Sequence, residues 1–246
     1  MPGRLEGARF VLTRSDVGLG DRLRREGARV IEFPVFIHEP LGAVTPPPGS
    51  WDLAIFSSPA AVIYGLERLH RAPTMRVAAP GPGTADCLRE RGVDSVLAPS
   101  TGSGLKGLFQ LPQMLDLADW RVLLVCGRPI VRRSVTLLRG RVAQGGVFPV
   151  YRRRVNPDLA RAGRDFEPDA VDAIMVSSTG VVRVLGLVLG ARFRAIPWLV
   201  SSVRVARAVS RLDGKCVAMA ADAGGAAMAR AAIEWWQKKR ANYGIE

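Results

Sequence analysis

The chain has 246 residues, of which 48% are apolar and 23% charged, enough for one large or two small domains at roughly 150 residues each. With a mean hydropathy of +0.12, this balance excludes a disordered, collagen-like or disulfide-stapled chain, and the apolar stretches fall far short of the ~20 residues of a membrane helix. Lys and Arg number 35 against 22 Asp and Glu, a net charge of +13, which implies either an anionic partner or a generally basic surface.

Short β-branched or apolar runs predict strands at Arg9–Thr13, Val30–Val35, Asp52–Phe56, Met75–Ala79, Asp94–Ala98, Arg121–Val125, Val147–Tyr151, Val171–Val176, Pro197–Val200 and Cys216–Ala220. Between them lie helical patterns. Ala61–Leu69 puts Val62, Leu66 and Leu69 on one face, and the C-terminal segment sets Met228, Ala231, Ala232, Trp235 and Trp236 at helical spacing, as core. Gly27 and Gly92 follow Arg/Glu-rich segments and fit helix C-terminal positions, where glycine turns left-handed without a Cβ clash. Strands alternating with helices predict an α/β fold with parallel sheets. The N-terminus, MPGRLEGARF, has no apolar signal core, so the chain reads as cytoplasmic.

An internal repeat organises the chain. EFPVF (32–36) matches VFPVY (147–151), AIFSSPAAV (54–62) matches AIMVSSTGVV (173–182), and the strand and Arg-rich helix of 11–30 match those of 123–146. Repeats about 115 to 120 residues apart are too long for a solenoid and suit two similar α/β domains. The FPVF and FPVY segments are the candidate connections between them.

Ligands of open parallel sheets bind beyond the carboxyl ends of the strands. There this sequence carries Thr13-Arg14, Ser57-Ser58, Pro80–Thr84, Cys126-Gly127-Arg128, Ser177-Ser178-Thr179 and Ser201-Ser202. Each hydroxyl is either a helix N-cap or, taken with its neighbours, part of a set of cradles for carboxylates. No nucleophile elbow, dinucleotide fingerprint or Walker lysine is present. Cys87, Cys126 and Cys216 stand apart, and with His38 and His70 they assemble no metal or redox site; the two histidines are given no role.

The order of these elements resembles the uroporphyrinogen-III synthase family: a strand ending in Thr-Arg, a Pro-Val connector, IFSSPAAV, GPxTAxxL, LLxxGRxxxR, a closing VY and a second Ser-Ser-Thr. The resemblance covers nearly the whole chain. It implies two flavodoxin-like domains with parallel sheets joined by a two-stranded connector. One domain is then discontinuous, 1–34 plus 156–246, the other is inserted at 37–148, and connectors lie near 33–40 and 148–156.

It further implies a cofactor-free hydro-lyase that converts hydroxymethylbilane, a linear tetrapyrrole with eight carboxylates, to uroporphyrinogen III, losing water and inverting the D ring. By matching motifs, Thr13, Arg14, Ser57, Ser58, Thr84, Gly127, Arg128, Ser177, Ser178 and Thr179 fall at substrate-facing loops. Where the family has a second GPxTA element, this chain reads SVRVA, with Ser202 in the glycine's place. Tyr151 matches the family's cleft tyrosine; its neutral phenol could protonate the departing hydroxyl, or the ring could simply pack beside Phe148. The substrate is the expected partner, the chain a monomer that neither binds nucleic acid nor enters a membrane, with transient contact to the preceding pathway enzyme allowed. Two rivals are a non-catalytic, two-domain anionic-ligand-binding module and a nucleic-acid binder, whose affinity would fall steeply with salt.

Overall fold

A computed structural model describes residues 3–14, 17–100 and 104–243. In chain order the elements are β1 (Arg9–Leu12), α1 (Val17–Arg25), β2 (Arg29–Glu32), β3 (Phe36–Pro40), β4 (Leu53–Phe56), α2 (Pro59–Gly65), β5 (Arg76–Ala78), α3 (Pro82–Arg89) and α4 (Leu105–Leu108). They continue as β6 (Arg121–Arg128), α5 (Arg132–Arg139), β7 (Gln144–Val155), α6 (Leu159–Arg164), β8 (Ala173–Val176), α7 (Thr179–Leu189), β9 (Pro197–Val200), α8 (Val203–Ser210), β10 (Lys215–Met219) and α9 (Gly225–Tyr243). The chain divides into two compact units, one of residues 1–37 with 155–246 and the other of residues 38–154. Among the described residues no helix is long and apolar enough to cross a membrane.

The first unit is built on a parallel sheet in the order β10-β9-β8-β1-β2, the flavodoxin-like arrangement with helices on both faces. Residues alternate across it. Phe10, Leu12, Met175 and Leu199 pack against Leu19, Leu23, Met228 and Trp236 of α1 and α9, whereas Val11, Ile174, Val176 and Trp198 pack against Leu185, Val205 and Val209 of α7 and α8. Such double burial explains why these strands read as continuous apolar runs.

The second unit carries the order β3-β7-β6-β4-β5, with parallel pairing through β7-β6-β4-β5. Ala54, Phe56, Leu123, Val125 and Phe148 face α2 and α3, while Leu53, Ile55, Val122 and Leu124 face Leu105, Leu108 and Leu138 of α4 and α5. The repeat is visible in detail. Asp172 accepts the backbone N–H of Arg9 at 2.8 Å, and Asp52 accepts that of Arg121 at 2.7 Å; each Asp precedes one central strand and each Arg opens the strand beside it.

Helix endings follow the glycine pattern. Gly27 and Gly92 sit at φ 91° and 76°, with Ala28 N–H bonded to Leu23 O and Val93 N–H to Leu88 O, the Schellman closure that glycine permits.

Four predicted strands need correction. Asp94–Ala98 is not a strand: Leu97 alone bridges Ala78, and Pro99 soon follows with no N–H to extend a ladder. β2 stops at Glu32 because Pro34 interrupts the alternating donors, although Phe33 and Val35 still bond Leu12 O and Thr13 O. β6 and β7 run on to Arg128 and Val155, well past Val125 and Tyr151.

Candidate functional site

Within the second unit, the carboxyl ends of β4 and β6 and the neighbouring part of β7 enclose a cavity of about 320 Å³. Five of the residues expected from the sequence to face substrate line it, Ser57, Ser58, Gly127, Arg128 and Tyr151, together with Pro80 and Cys126 of the same post-strand segments. Leu105, Leu124, Ile130 and Val131 supply apolar wall, and Arg153 and Ser134 add polar groups. Its lining thus combines apolar side chains with two arginines and several hydroxyls, groups that can meet both an apolar surface and an anion.

Tyr151 reaches this position through an irregularity. β6 and β7 pair in register from Arg121↔Gln144 to Cys126↔Pro149, then Gly127 faces Tyr151, leaving Val150 as an extra residue. A bulge of this kind re-aims the side chain beside it. The Tyr151 ring lies directly over Gly127, where an added Cβ would come within 2.3 Å of it. Its hydroxyl lies 3.0 Å from Ser58 Oγ, and Ser58 Oγ accepts the Ala61 N–H at 3.1 Å as the N-cap of α2. The His38 ring meets the tyrosine edge-on at 5.0 Å between centroids, and Tyr64, whose hydroxyl donates to His38 O, lies 6.0 Å away.

His38 and Arg153 are not legible in the sequence as site residues. Leu41 N–H bonds Val150 O and Asn156 N–H bonds Val35 O, an antiparallel register that sets position 38 opposite position 153. The FPVF and FPVY alignment hints at paired connectors, but only the register puts the histidine beside the tyrosine. Loss of hydration, followed by the Arg153 charge, holds the His38 imidazole below its ordinary value. Burial pushes the Cys126 thiol in the cavity wall up to about 11, against the opposing pull of Arg128.

Several expectations are corrected. Gly127 and Arg128 lie inside β6 rather than in a loop opening a helix, and α5 begins at Arg132 behind Val131, which gives no side-chain cap. The glycine thus makes room for an aromatic ring. Thr84 is buried in the first turn of α3, only 6% exposed.

In the first unit Thr13 is equally enclosed, at 3% exposed, and its hydroxyl donates to Met175 O at 2.8 Å, tying β1 to β8 instead of facing outward. Arg14 donates to Ser177 Oγ at 3.2 Å and to Ala223 O at 2.9 Å, so the structure brings this arginine and serine together. Ser178 caps α7 by accepting from Gly180 N–H, with Thr179 as the first helical residue, and Ser202 caps α8 by accepting from Val205 N–H. The N-cap reading therefore holds for Ser58, Ser178 and Ser202. All three nonetheless remain partly exposed.

The model of the family described as Uroporphyrinogen-III synthase HemD matches residues 18–230. Among solved structures, the uroporphyrinogen-III synthetase of Helicobacter pylori 26695 is similar at 14% identity and a TM-score of 0.62, over 92% of this chain and 99% of that one. A mutant uroporphyrinogen III synthase of the extremely thermophilic bacterium Thermus thermophilus is similar at 18% identity and a TM-score of 0.56, over 94% of this chain and 100% of that one. At such identities the likeness is one of fold. Among curated proteins none matches the sequence.

Proposed function

The chain belongs to the uroporphyrinogen-III synthase family, and on that premise we propose that it closes hydroxymethylbilane to uroporphyrinogen III with loss of water and inversion of the D ring. The observation that carries this reading is the family match over residues 18–230, which spans residues of both compact units. The net reaction removes water without a change of oxidation state, so it calls for no oxidant or reductant.

Tyr151 acts as the proton donor. As the bond from carbon to the terminal hydroxyl breaks, the phenol proton goes to the leaving oxygen and water departs; a proton released when the macrocycle closes restores the phenol. A neutral donor suits a substrate with eight carboxylates, because an acidic residue in the same place would repel it. Arg128 and the Ser57 hydroxyl meet carboxylates at the cavity of the second unit, its apolar wall holding a pyrrole ring. Arg14, Ser177, Ser178, Thr179 and Ser202 offer donors at the carboxyl end of the first unit's sheet. Thr13 and Thr84 act only by shaping their surroundings, given their burial.

The test is incubation of the purified protein with freshly generated hydroxymethylbilane, followed by separation of the product isomers. A predominance of the type III isomer is expected. The type I isomer alone, as formed spontaneously, would overturn the reading and leave a module that binds anionic ligands without turning them over.

A further inference from the structure

We propose that Ser58 is a positioning residue that fixes the direction of the Tyr151 hydroxyl. Its oxygen accepts the Ala61 N–H, and its own proton goes to the tyrosine oxygen, so that the phenol proton points into the cavity. This rests on the reading of Tyr151 as proton donor given above.

The proton inventory of the pair sets the direction. A serine hydroxyl has one proton to give and two lone pairs to receive with, and a phenol likewise has one proton. Ser58 Oγ already receives the Ala61 N–H at 3.1 Å. Among the described residues its one remaining side-chain partner is the Tyr151 hydroxyl, 3.0 Å away, and Tyr151 has no other hydrogen-bond partner. If Tyr151 were the donor, the phenol proton would be consumed inside the pair and the serine proton would have no acceptor among the described residues. With Ser58 as donor, the serine is satisfied on both sides and the single proton left over is the phenol's. Tyr151 lines the cavity, so that proton faces the ligand space.

The surroundings hold the pair still. The Gly127 backbone lies against the ring, and the His38 and Tyr64 rings lie 5.0 Å and 6.0 Å from it between centroids, so the neighbours restrict the ring while the C–O bond is left to rotate. The Ser58 backbone is extended, at φ −166° and ψ 163°, as an N-cap requires, and the following Pro59 opens α2. The capping geometry therefore sets the serine oxygen, and the serine oxygen sets the phenol.

Two substitutions at Ser58, alone and with Tyr151→Phe, separate this role from capping and from substrate binding. Ser58→Gly keeps most of the cap but has no hydroxyl, Ser58→Thr keeps both, and each is combined with Tyr151→Phe. Ser58→Gly is expected to lower kcat on the order of fivefold, the factor carried by one neutral hydrogen bond, with KM unchanged. Ser58→Thr should restore the rate, and Ser58→Gly should cost nothing further in the Tyr151→Phe background. A raised KM with unchanged kcat, or an undiminished loss in the Tyr151→Phe background, would overturn the proposal.

A second readout does not depend on turnover. The tyrosine Fermi doublet in the Raman spectrum reports whether a phenol accepts or donates, and the Tyr151 signal is isolated by subtracting the spectrum of Tyr151→Phe. An acceptor signature that vanishes in Ser58→Gly and persists in Ser58→Thr supports the orientation; a donor signature in the unsubstituted protein overturns it. An acceptor signature in a protein that yields no type III isomer would sink the functional reading while leaving the orientation intact.

Discussion

Gly127 and Tyr151 face each other across the β6–β7 ladder, and the tyrosine ring fills the volume that a Cβ at position 127 would need, its nearest atom 2.3 Å from that point. The glycine is not in the left-handed region, so the requirement is one of space and not of backbone conformation. Gly127→Ala should therefore destabilise the protein by about 1–3 kcal/mol, as overpacking does, and also push Tyr151 away from Ser58. The check is denaturant unfolding of Gly127→Ala alone and with Tyr151→Ser. Removing the ring should recover most of the loss; an equal cost in both backgrounds would mean that the crowding lies elsewhere.

The pairing of Asp52 with Arg121 gives a pH dependence of defined sign. Hydrogen bonding first from the Arg121 side chain and then from its backbone N–H holds the Asp52 carboxyl below its usual range. A carboxyl depressed in the fold stabilises it fully above its unfolded value, near 4, and loses that contribution as pH falls through the folded value. Because the aspartate side chain is 40% exposed, the contribution is about 0.5–1 kcal/mol after solvent screening. Asp52→Asn should be less stable than the parent at pH 7, with the two melting curves converging in acid. A gap that stayed constant down to pH 2 would rule the charge out as its source.

These two cases also mark where the sequence is readable. The α/β class follows from strands buried on both faces, such as Leu53–Phe56 and Ala173–Val176, because each is a short apolar run bounded by turn residues. The repeat extends to single groups, as the matching Asp52–Arg121 and Asp172–Arg9 pairs show. Hydroxyls after strands can be found but not assigned: Ser57 and Ser58 are adjacent, yet Ser58 alone caps the helix. Gly127 misleads because a glycine after an apolar run looks like the start of a loop, whereas the bulge at Val150 depends on pairing with a partner strand. His38 is hidden for the same reason, its neighbour Tyr151 being 113 positions away (151 − 38) and brought close only by strand register.

On the proposed function, two arginines, one in each unit, should respond differently to charge reversal. Arg128 is exposed at the cavity rim, so Arg128→Glu should raise KM for hydroxymethylbilane by about tenfold, the size of a lost charged hydrogen bond, leaving thermal stability near that of the parent. The effect should shrink between low salt and 0.5 M salt as the charges are screened. Arg14 also holds Ser177 Oγ and Ala223 O, so Arg14→Glu should lower stability along with substrate affinity. An unaltered KM for both variants would remove the arginines from the residues proposed to bind substrate.

Cys126 carries a thiol in the wall of the second unit's cavity. Position alone suggests that a small alkylating reagent entering the cavity would modify it. Reactivity, however, belongs to the thiolate, and burial pushes this thiol up to about 11, so that roughly one molecule in a thousand carries the thiolate at pH 8. Arg128 pulls the other way, but its charge is exposed to solvent and desolvation prevails. Cys87 and Cys216 are also raised, chiefly by burial. Folded protein treated with iodoacetamide at pH 8 should therefore retain Cys126 unmodified long after the same residue in denatured protein has reacted, as peptide mass mapping would show. Arg128→Glu should slow the reaction further by removing the one charge that favours the thiolate. Rapid modification of Cys126 in the folded protein would mean that the cavity wall is wetter than its burial implies, and with it that the apolar lodging proposed for a pyrrole ring is wrong.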